Sequence, residues 1–287
     1  MSSCCPENSW GVLLDASSGS KPLDGAMGKL LTIGPSKDLE IYVSEPEGKD
    51  AAPEKALCVF TDIYGMQRRL FAICDKLAVE LQVTVVVLET FRGETAKDQS
   101  WDEIKEWLSL RPFEINAGSP NDIKPGTFPV KEDINSCFNF LSETYNIEPQ
   151  NVGAAGFCWG VWAMTKACEM NLFRCGVGFH PSILIESGVF GGDEEVLVQK
   201  ASDNAPLLFC VAGNDAANLK EDGALANIIS SSKSKHISGD DKTAPHCIVF
   251  PEMKHGWVSR GDTTIEKVKQ DAEEALNLAV DFLRQWL

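Results

Sequence analysis

Three residues of this chain are of the types, and in the order, that support nucleophilic catalysis: Cys158, Asp215 and His255. A thiolate can attack a carbonyl carbon, an imidazole can take up and return the proton, and a carboxylate can fix the imidazole tautomer and steady the imidazolium. Cys158 lies in Val152-Gly-Ala-Ala-Gly-Phe-Cys-Trp-Gly-Val161, an apolar strand that runs through Gly156-x-Cys158-x-Gly160 into a helical stretch from Val161 to Met170. Gly-x-nucleophile-x-Gly between a strand and a helix is a nucleophile elbow, here with cysteine where serine is usual. The turn is tight, and a β-carbon two residues to either side of the nucleophile would collide with the neighbouring strand or helix. Such a turn sets Cys158 at a helix N-terminus, where the dipole favours a thiolate or an oxyanion. A buried cysteine between ordinary turn glycines is the alternative, and the partners farther along the chain decide between the two.

Those partners need a scaffold. Lys29 to Ile33 and Leu39 to Val43 read as a leading hairpin, followed by a polar loop from Pro46 to Glu54. Ala56 to Phe60 and Val83 to Leu88 are continuous apolar runs, as expected of strands buried on both faces, and Arg68 to Leu81 between them has helical spacing. Strand, helix, strand with buried strands implies a mostly parallel α/β sheet with helices on both faces. Ile134 to Tyr145 and Ala224 to Ile229 read as helices; Cys175 to Phe179, Leu207 to Ala212 and Cys247 to Phe250 read as strands. Thr263 and Glu266 have capping-box spacing ahead of a last helix carrying Ile265, Val268, Ala272, Leu276, Ala279, Leu283 and Trp286. Cys158, Asp215 and His255 each fall just beyond a strand, so the carboxyl edge of one sheet gathers them, in the chain order of α/β hydrolases. Asp215 could instead be a helix N-cap, with Asp222 a weaker rival for the acid, and His255 a turn histidine. The backbone N–H groups of Trp159 and Ile63 stand where an oxyanion hole is expected.

Residues 1–27 are rich in Ser, Gly and Pro and predict a loosely ordered arm, with Cys4-Cys5 read as inert tail rather than a lipidation or metal tract. Residues 28–287 predict a single domain. Within it, residues 94–130 hold one amphipathic piece, Trp101 to Leu110, among Pro112, Gly118, Pro120, Pro125, Gly126 and Pro129, and predict a lid over the site.

A chain of 287 residues with 44% hydrophobic and 24% charged residues has the composition of an ordinary globular domain with an ample core. Its net charge of -16 argues against nucleic acid and against docking on an anionic membrane. The first ten residues show neither a basic flank nor an apolar core of a secretory signal, and no apolar run approaches the roughly 18 residues a spanning helix needs. Most of the ten cysteines sit inside apolar runs and none has zinc-site spacing. Free thiols in a reducing compartment, the cytoplasm, are the expectation.

Taken with Thr61-Asp-Ile-Tyr-Gly65, Phe91-Arg-Gly93, Gly213-Asn-Asp215 and His255-Gly-Trp-Val-Ser-Arg260, the elbow resembles the dienelactone hydrolases (carboxymethylenebutenolidases), a cysteine branch of the α/β hydrolases. The likeness runs from about Leu39 to the C-terminus; His180-Pro-Ser182 and the cysteine-bearing arm are similar to eukaryotic members. The resemblance implies a triad of Cys158, Asp215 and His255 and cleavage of a small lactone or carboxylic ester through a thioacyl-enzyme. It implies Arg260 as the holder of a substrate carboxylate, Arg92 as its assistant, and no metal or organic cofactor. The implied partner is a small, anionic ester or lactone, on a monomer or small homo-oligomer. Asp62 departs from the pattern: the bacterial members have glutamate there, contacting the nucleophile and the arginine, and aspartate is one methylene shorter. Two rivals are a glucan hydrolase, for which Asp62 and Glu89 would be the two flanking carboxylates, and a non-catalytic binding or thiol redox-sensing protein on a hydrolase fold.

Overall fold

The computed structural model describes residues 5–11, 21–22, 25–46, 53–96, 100–115, 124–232 and 244–287. The strands are β1 (Lys29–Ile33), β2 (Leu39–Ser44), β3 (Ala56–Phe60), β4 (Thr84–Leu88), β5 (Val152–Phe157), β6 (Gly176–Phe179), β7 (Leu207–Ala212) and β8 (His246–Phe250). The helices are α1 (Arg68–Leu81), α2 (Trp101–Ser109), α3 (Val130–Tyr145), α4 (Trp159–Glu169), α5 (Ile185–Gly188), α6 (Glu194–Asn204), α7 (Ala224–Ser230), α8 (Trp257–Arg260) and α9 (Glu266–Trp286). The strands form one sheet in the order β1-β2-β4-β3-β5-β6-β7-β8. The β1–β2 and β2–β4 pairs are antiparallel, and every later pair is parallel.

Strand alternation sends successive side chains into two cores. Ala56, Cys58 and Phe60 of β3, with Leu207, Phe209 and Val211 of β7, meet α3, α4, α6 and α7 on one face. Leu57 and Val59, with Leu208, Cys210 and Ala212, meet α1 and α9 on the other. The fully buried strands read as unbroken apolar runs because both of their faces are covered.

Three features differ from the expectations above. The last helix has no capping box: its N-cap is Ile265, which is 47% exposed and caps nothing with its side chain, while Glu266 is already the first helical residue. The upstream turn is closed instead by Asp262, whose Oδ1 accepts from the Thr264 N–H at 2.9 Å. Helix α6 has no counterpart in the sequence reading; it starts at an Asp193 cap that accepts from the N–H groups of Glu195 and Val196, but its apolar stripe is thin. Helix α8 is a single turn after His255 and delivers Arg260.

The packing that matters most for the site is where α4 crosses the ends of β3 and β5. A β-carbon on Gly160 would lie 2.4 Å from the Phe60 carbonyl oxygen, and one on Gly156 would lie 2.4 Å from the Gly160 carbonyl oxygen. Both obstacles are backbone, so neither can swing aside. Gly160→Ala is therefore expected to lower unfolding free energy by about 3 kcal/mol or more, measured by urea denaturation. An alanine variant as stable as the parent would show that this approach does not constrain the fold.

Candidate active site

Cys158 is the single residue between β5 and α4, held at φ 54° and ψ −115°. That conformation costs a residue with a β-carbon about 1–3 kcal/mol. It is fixed from several sides. The Cys158 N–H donates to the Phe179 carbonyl at 3.1 Å, and its carbonyl accepts from the N–H groups of Val161 at 3.0 Å and Ser182 at 3.2 Å. The Ser182 Oγ lies 3.3 Å from the Cys158 Sγ. Trp159 opens α4, and its N–H, like that of Ile63 in the turn after β3, meets no acceptor among the described residues.

Asp215 and His255 come from the turns after β7 and β8. The Asp215 Oδ2 accepts from the Ala212 N–H at 2.7 Å, which leaves Oδ1 facing the His255 Nδ1 at 2.6 Å. Asn214 steadies the same histidine, accepting its backbone N–H at 2.6 Å. Both ring and carboxylate are buried. A His255 ring nitrogen lies within 4.8 Å of the Cys158 sulfur. Burial alone would push the imidazole pKa down; the charges of Cys158 and Asp215 outweigh it and raise the pKa to about 9. Asp222 lies in a separate turn, where its carbonyl accepts from the Asn227 side chain.

Beside this group, the buried Arg260 guanidinium forms an ion pair with the Asp62 Oδ2. The other Asp62 oxygen accepts from the Tyr64 N–H at 2.9 Å, and Ser259 donates to Oδ2 at 3.0 Å. The aspartate thus faces the arginine and its own turn, and none of these partners is Cys158. Arg260 also lies 4.7 Å over the Tyr64 ring, and its Nη2 has no hydrogen-bond partner among the described residues. Burial works against the guanidinium charge, but Asp62 more than restores it and keeps Arg260 ionised.

His180, at φ 42°, is buried behind the pair, its ring centroid 4.9 Å from that of His255. Burial, reinforced by His255 and Arg260, pushes its pKa well below the ordinary value, so it stays neutral. Its Nε2 lies 3.4 Å from the Ser259 Oγ. Arg92 is not brought to the site. Its guanidinium pairs with Asp133 at 2.7 Å and Asp38 at 3.4 Å and covers the Phe128 ring, tying the loop after β4 to α3. Glu89 accepts from the Met66 N–H at 2.8 Å, and burial raises its pKa to about 7.

The N-terminal arm supplies what the sequence reading did not anticipate. The Cys5 Sγ lies 3.6 Å from the Cys158 Sγ, so the Cys5 half of the expected inert tail is at the site; Cys4 lies outside the described residues. The Trp10 N–H donates to the His255 carbonyl at 2.9 Å, and the Trp10 carbonyl accepts from the Arg260 Nε at 3.0 Å. The Glu7 carbonyl accepts from the Asn214 side chain. Among the described residues, Cys5, Cys158 and His255 are the one group of three donors compact enough to hold a metal ion. In the segment expected to be a lid, α2 packs its Trp107 on Phe91, which in turn contacts Trp159. Residues 97–99 and 116–123 of that segment lie outside the described residues, as do 47–52 of the expected polar loop. No described helix is long and apolar enough to cross a membrane.

An eight-stranded, mostly parallel sheet with a tight turn at Cys158 after β5, and with Asp215 and His255 after β7 and β8, has the architecture of an α/β hydrolase. A solved Klebsiella pneumoniae protein assigned to the dienelactone hydrolases shares this fold, with a TM-score of 0.62 at 14% identity over 90% of this chain and 98% of that one. Residues 39–287 match the model of the dienelactone hydrolase family, and the chain belongs to that family of ester and lactone hydrolases. Relatives include the human carboxymethylenebutenolidase homolog, 25% identical over 72% of this chain and 71% of the relative. Hydrolase tropI of Talaromyces stipitatus is 22% identical over 89% of this chain and 90% of the relative.

The charge balance around the imidazole makes a prediction. By NMR, the His255 ring should titrate near pH 9. Because Cys158 is among the groups that raise this pKa against burial, Cys158→Ala should lower it, with Asp215 alone left to hold it up. A midpoint unmoved by the substitution would show that the thiol and imidazole are electrostatically independent.

Proposed function

We propose that this chain is a cysteine-dependent hydrolase that cleaves a small lactone or carboxylic ester through a thioacyl-enzyme. The observation that carries this reading is the meeting of Cys158 with an imidazole whose far nitrogen is held by Asp215 at 2.6 Å. In the proposed cycle the Cys158 thiolate attacks the carbonyl carbon. The N–H groups of Trp159 and Ile63 receive the oxyanion, and His255 protonates the leaving oxygen. For a lactone the leaving oxygen stays tethered to the acyl group, so one ring-opened product results. His255 then deprotonates a water that attacks the thioester, and the acid leaves as the thiolate is regenerated. Asp215 holds the tautomer throughout.

The unpartnered Arg260 nitrogen supports an anionic substrate. Asp62 neutralises part of the arginine charge and lowers the cost of its burial, while leaving a donor for a carboxylate. The name of the human relative, a carboxymethylenebutenolidase homolog, fits the same substrate class. A glucan-cleaving reading draws less support, because Asp62 faces Arg260 and Glu89 faces a backbone N–H. We place the protein in the cytoplasm on the strength of its many thiols, most of them buried in apolar layers where a reducing compartment would keep them reduced.

A panel of activated esters and lactones, with a dienelactone and matched carboxylate and methyl-ester forms, tests the reading. Turnover should favour the carboxylate forms and fall by at least about a thousandfold in Cys158→Ala. Equal rates in the two proteins would refute a cysteine nucleophile.

A further inference from the structure

The arm brings a second sulfur into contact with that of Cys158. Cys5 and Cys158 are 153 positions apart, yet their sulfurs are 3.6 Å apart. A disulfide bond is about 2.05 Å long, so the sulfurs need to close by only about 1.5 Å. Cys5 is held there by contacts that do not involve its thiol. Pro6 restricts its backbone, and the Ser9 N–H and Oγ close a turn on the Pro6 carbonyl at 3.2 Å and 2.6 Å. Glu7 and Trp10 then anchor the turn to Asn214, His255 and Arg260. Trp10 offers its carbonyl oxygen to the Nε of the guanidinium whose Nη2 is proposed to take a substrate carboxylate, so the arm borders the substrate's place. Prepositioning of this kind raises the effective concentration of one thiol at the other far above any free thiol in solution.

We propose that Cys5 is a resolving cysteine: oxidation by a hydroperoxide joins it to Cys158 in a disulfide that locks the arm across the active site, and a dithiol releases it. The inference rests on the reading of Cys158 as the reactive thiolate. In the first step the Cys158 thiolate attacks one peroxide oxygen. The S–O bond forms as the O–O bond breaks, and the departing hydroxide or alkoxide takes a proton from His255. In the second step Cys5 attacks the sulfenic sulfur, the S–S bond forms as the S–O bond breaks, and water leaves with the Cys5 proton. Two thiols and one hydroperoxide give one disulfide, water and the reduced peroxide; each sulfur loses one electron and the peroxide gains two. Six of the other thiols compete poorly. Burial pushes Cys58, Cys74, Cys168, Cys175, Cys210 and Cys247 above the ordinary thiol range, away from the reactive thiolate form. The neighbouring Arg260 cation also makes the pair a poorer seat for a divalent metal than for a disulfide.

The test treats full-length protein with a modest excess of hydrogen peroxide and reads intact mass, peptide linkage and turnover, before and after dithiothreitol. Wild type and a Cys4→Ser control should lose roughly 2 Da, yield a Cys5–Cys158 cross-linked peptide and lose activity, with all three changes reversed by the dithiol. Cys5→Ser should instead gain about 32 Da at Cys158 and stay modified after reduction. Over-oxidation of wild type with no cross-link, a link through Cys4, or a cross-linked protein that keeps its full activity would each overturn the proposal. Mass and linkage do not depend on turnover. A reversible link in a protein with no esterase activity would refute the hydrolase reading and leave the cysteine pair standing.

Discussion

The site depends on one strained residue. Cys158 is held at a positive φ because strand β5, helix α4 and the end of β3 meet with no room for a side chain at Gly156 or Gly160. That packing converts the burial of two apolar layers into a local constraint. The sheet and helix are fixed by their cores, the turn between them has to be tight, and the tight turn aims the thiol over the carboxyl edge of the sheet. Loosening it would move the sulfur away from the histidine and from the free N–H groups of the turn.

Around this fixed sulfur the protein assembles a buried group of charges whose members restrain one another. Asp215 and Cys158 raise the His255 pKa against a burial that opposes it; Asp62 does the same for Arg260. His180, with no such partner, is driven neutral. Low-dielectric surroundings make each of these interactions strong and also make the loss of any partner expensive. Aspartate at position 62, where the resemblance to bacterial members implies glutamate, fits this picture, since an aspartate satisfied by Arg260, Ser259 and the Tyr64 N–H complements the arginine rather than Cys158.

The succession of strands along the chain, the tight turn at Cys158 and the placement of Asp215 and His255 after β7 and β8 were legible in the sequence, because each rests on a side-chain pattern. Buried strands show as apolar runs, and a tight crossing shows as glycines at fixed spacing. Helix α6 was not legible, since only Leu197, Val198, Ala201 and Ser202 are buried and Val196 is 49% exposed. Its Asp193 cap and acidic first turn were the available signal. Arg92 was drawn toward the site by its motif, but its position beside Asp133 follows from the packing of α3, which no local pattern reports. The arm was illegible for a different reason: Glu7 and Trp10 bind through backbone groups, and such contacts leave no trace in composition or periodicity.

The central claim is that Cys158 carries the acyl group during turnover. Its most direct test is rapid acid quench of the protein with an activated ester, followed by mass analysis of the peptide that spans the elbow. The account predicts a burst of released alcohol approaching one per active site and an acyl adduct, labile to hydroxylamine, on Cys158 alone. An adduct on another residue, or steady turnover with no acylated Cys158 at any quench time, would contradict it.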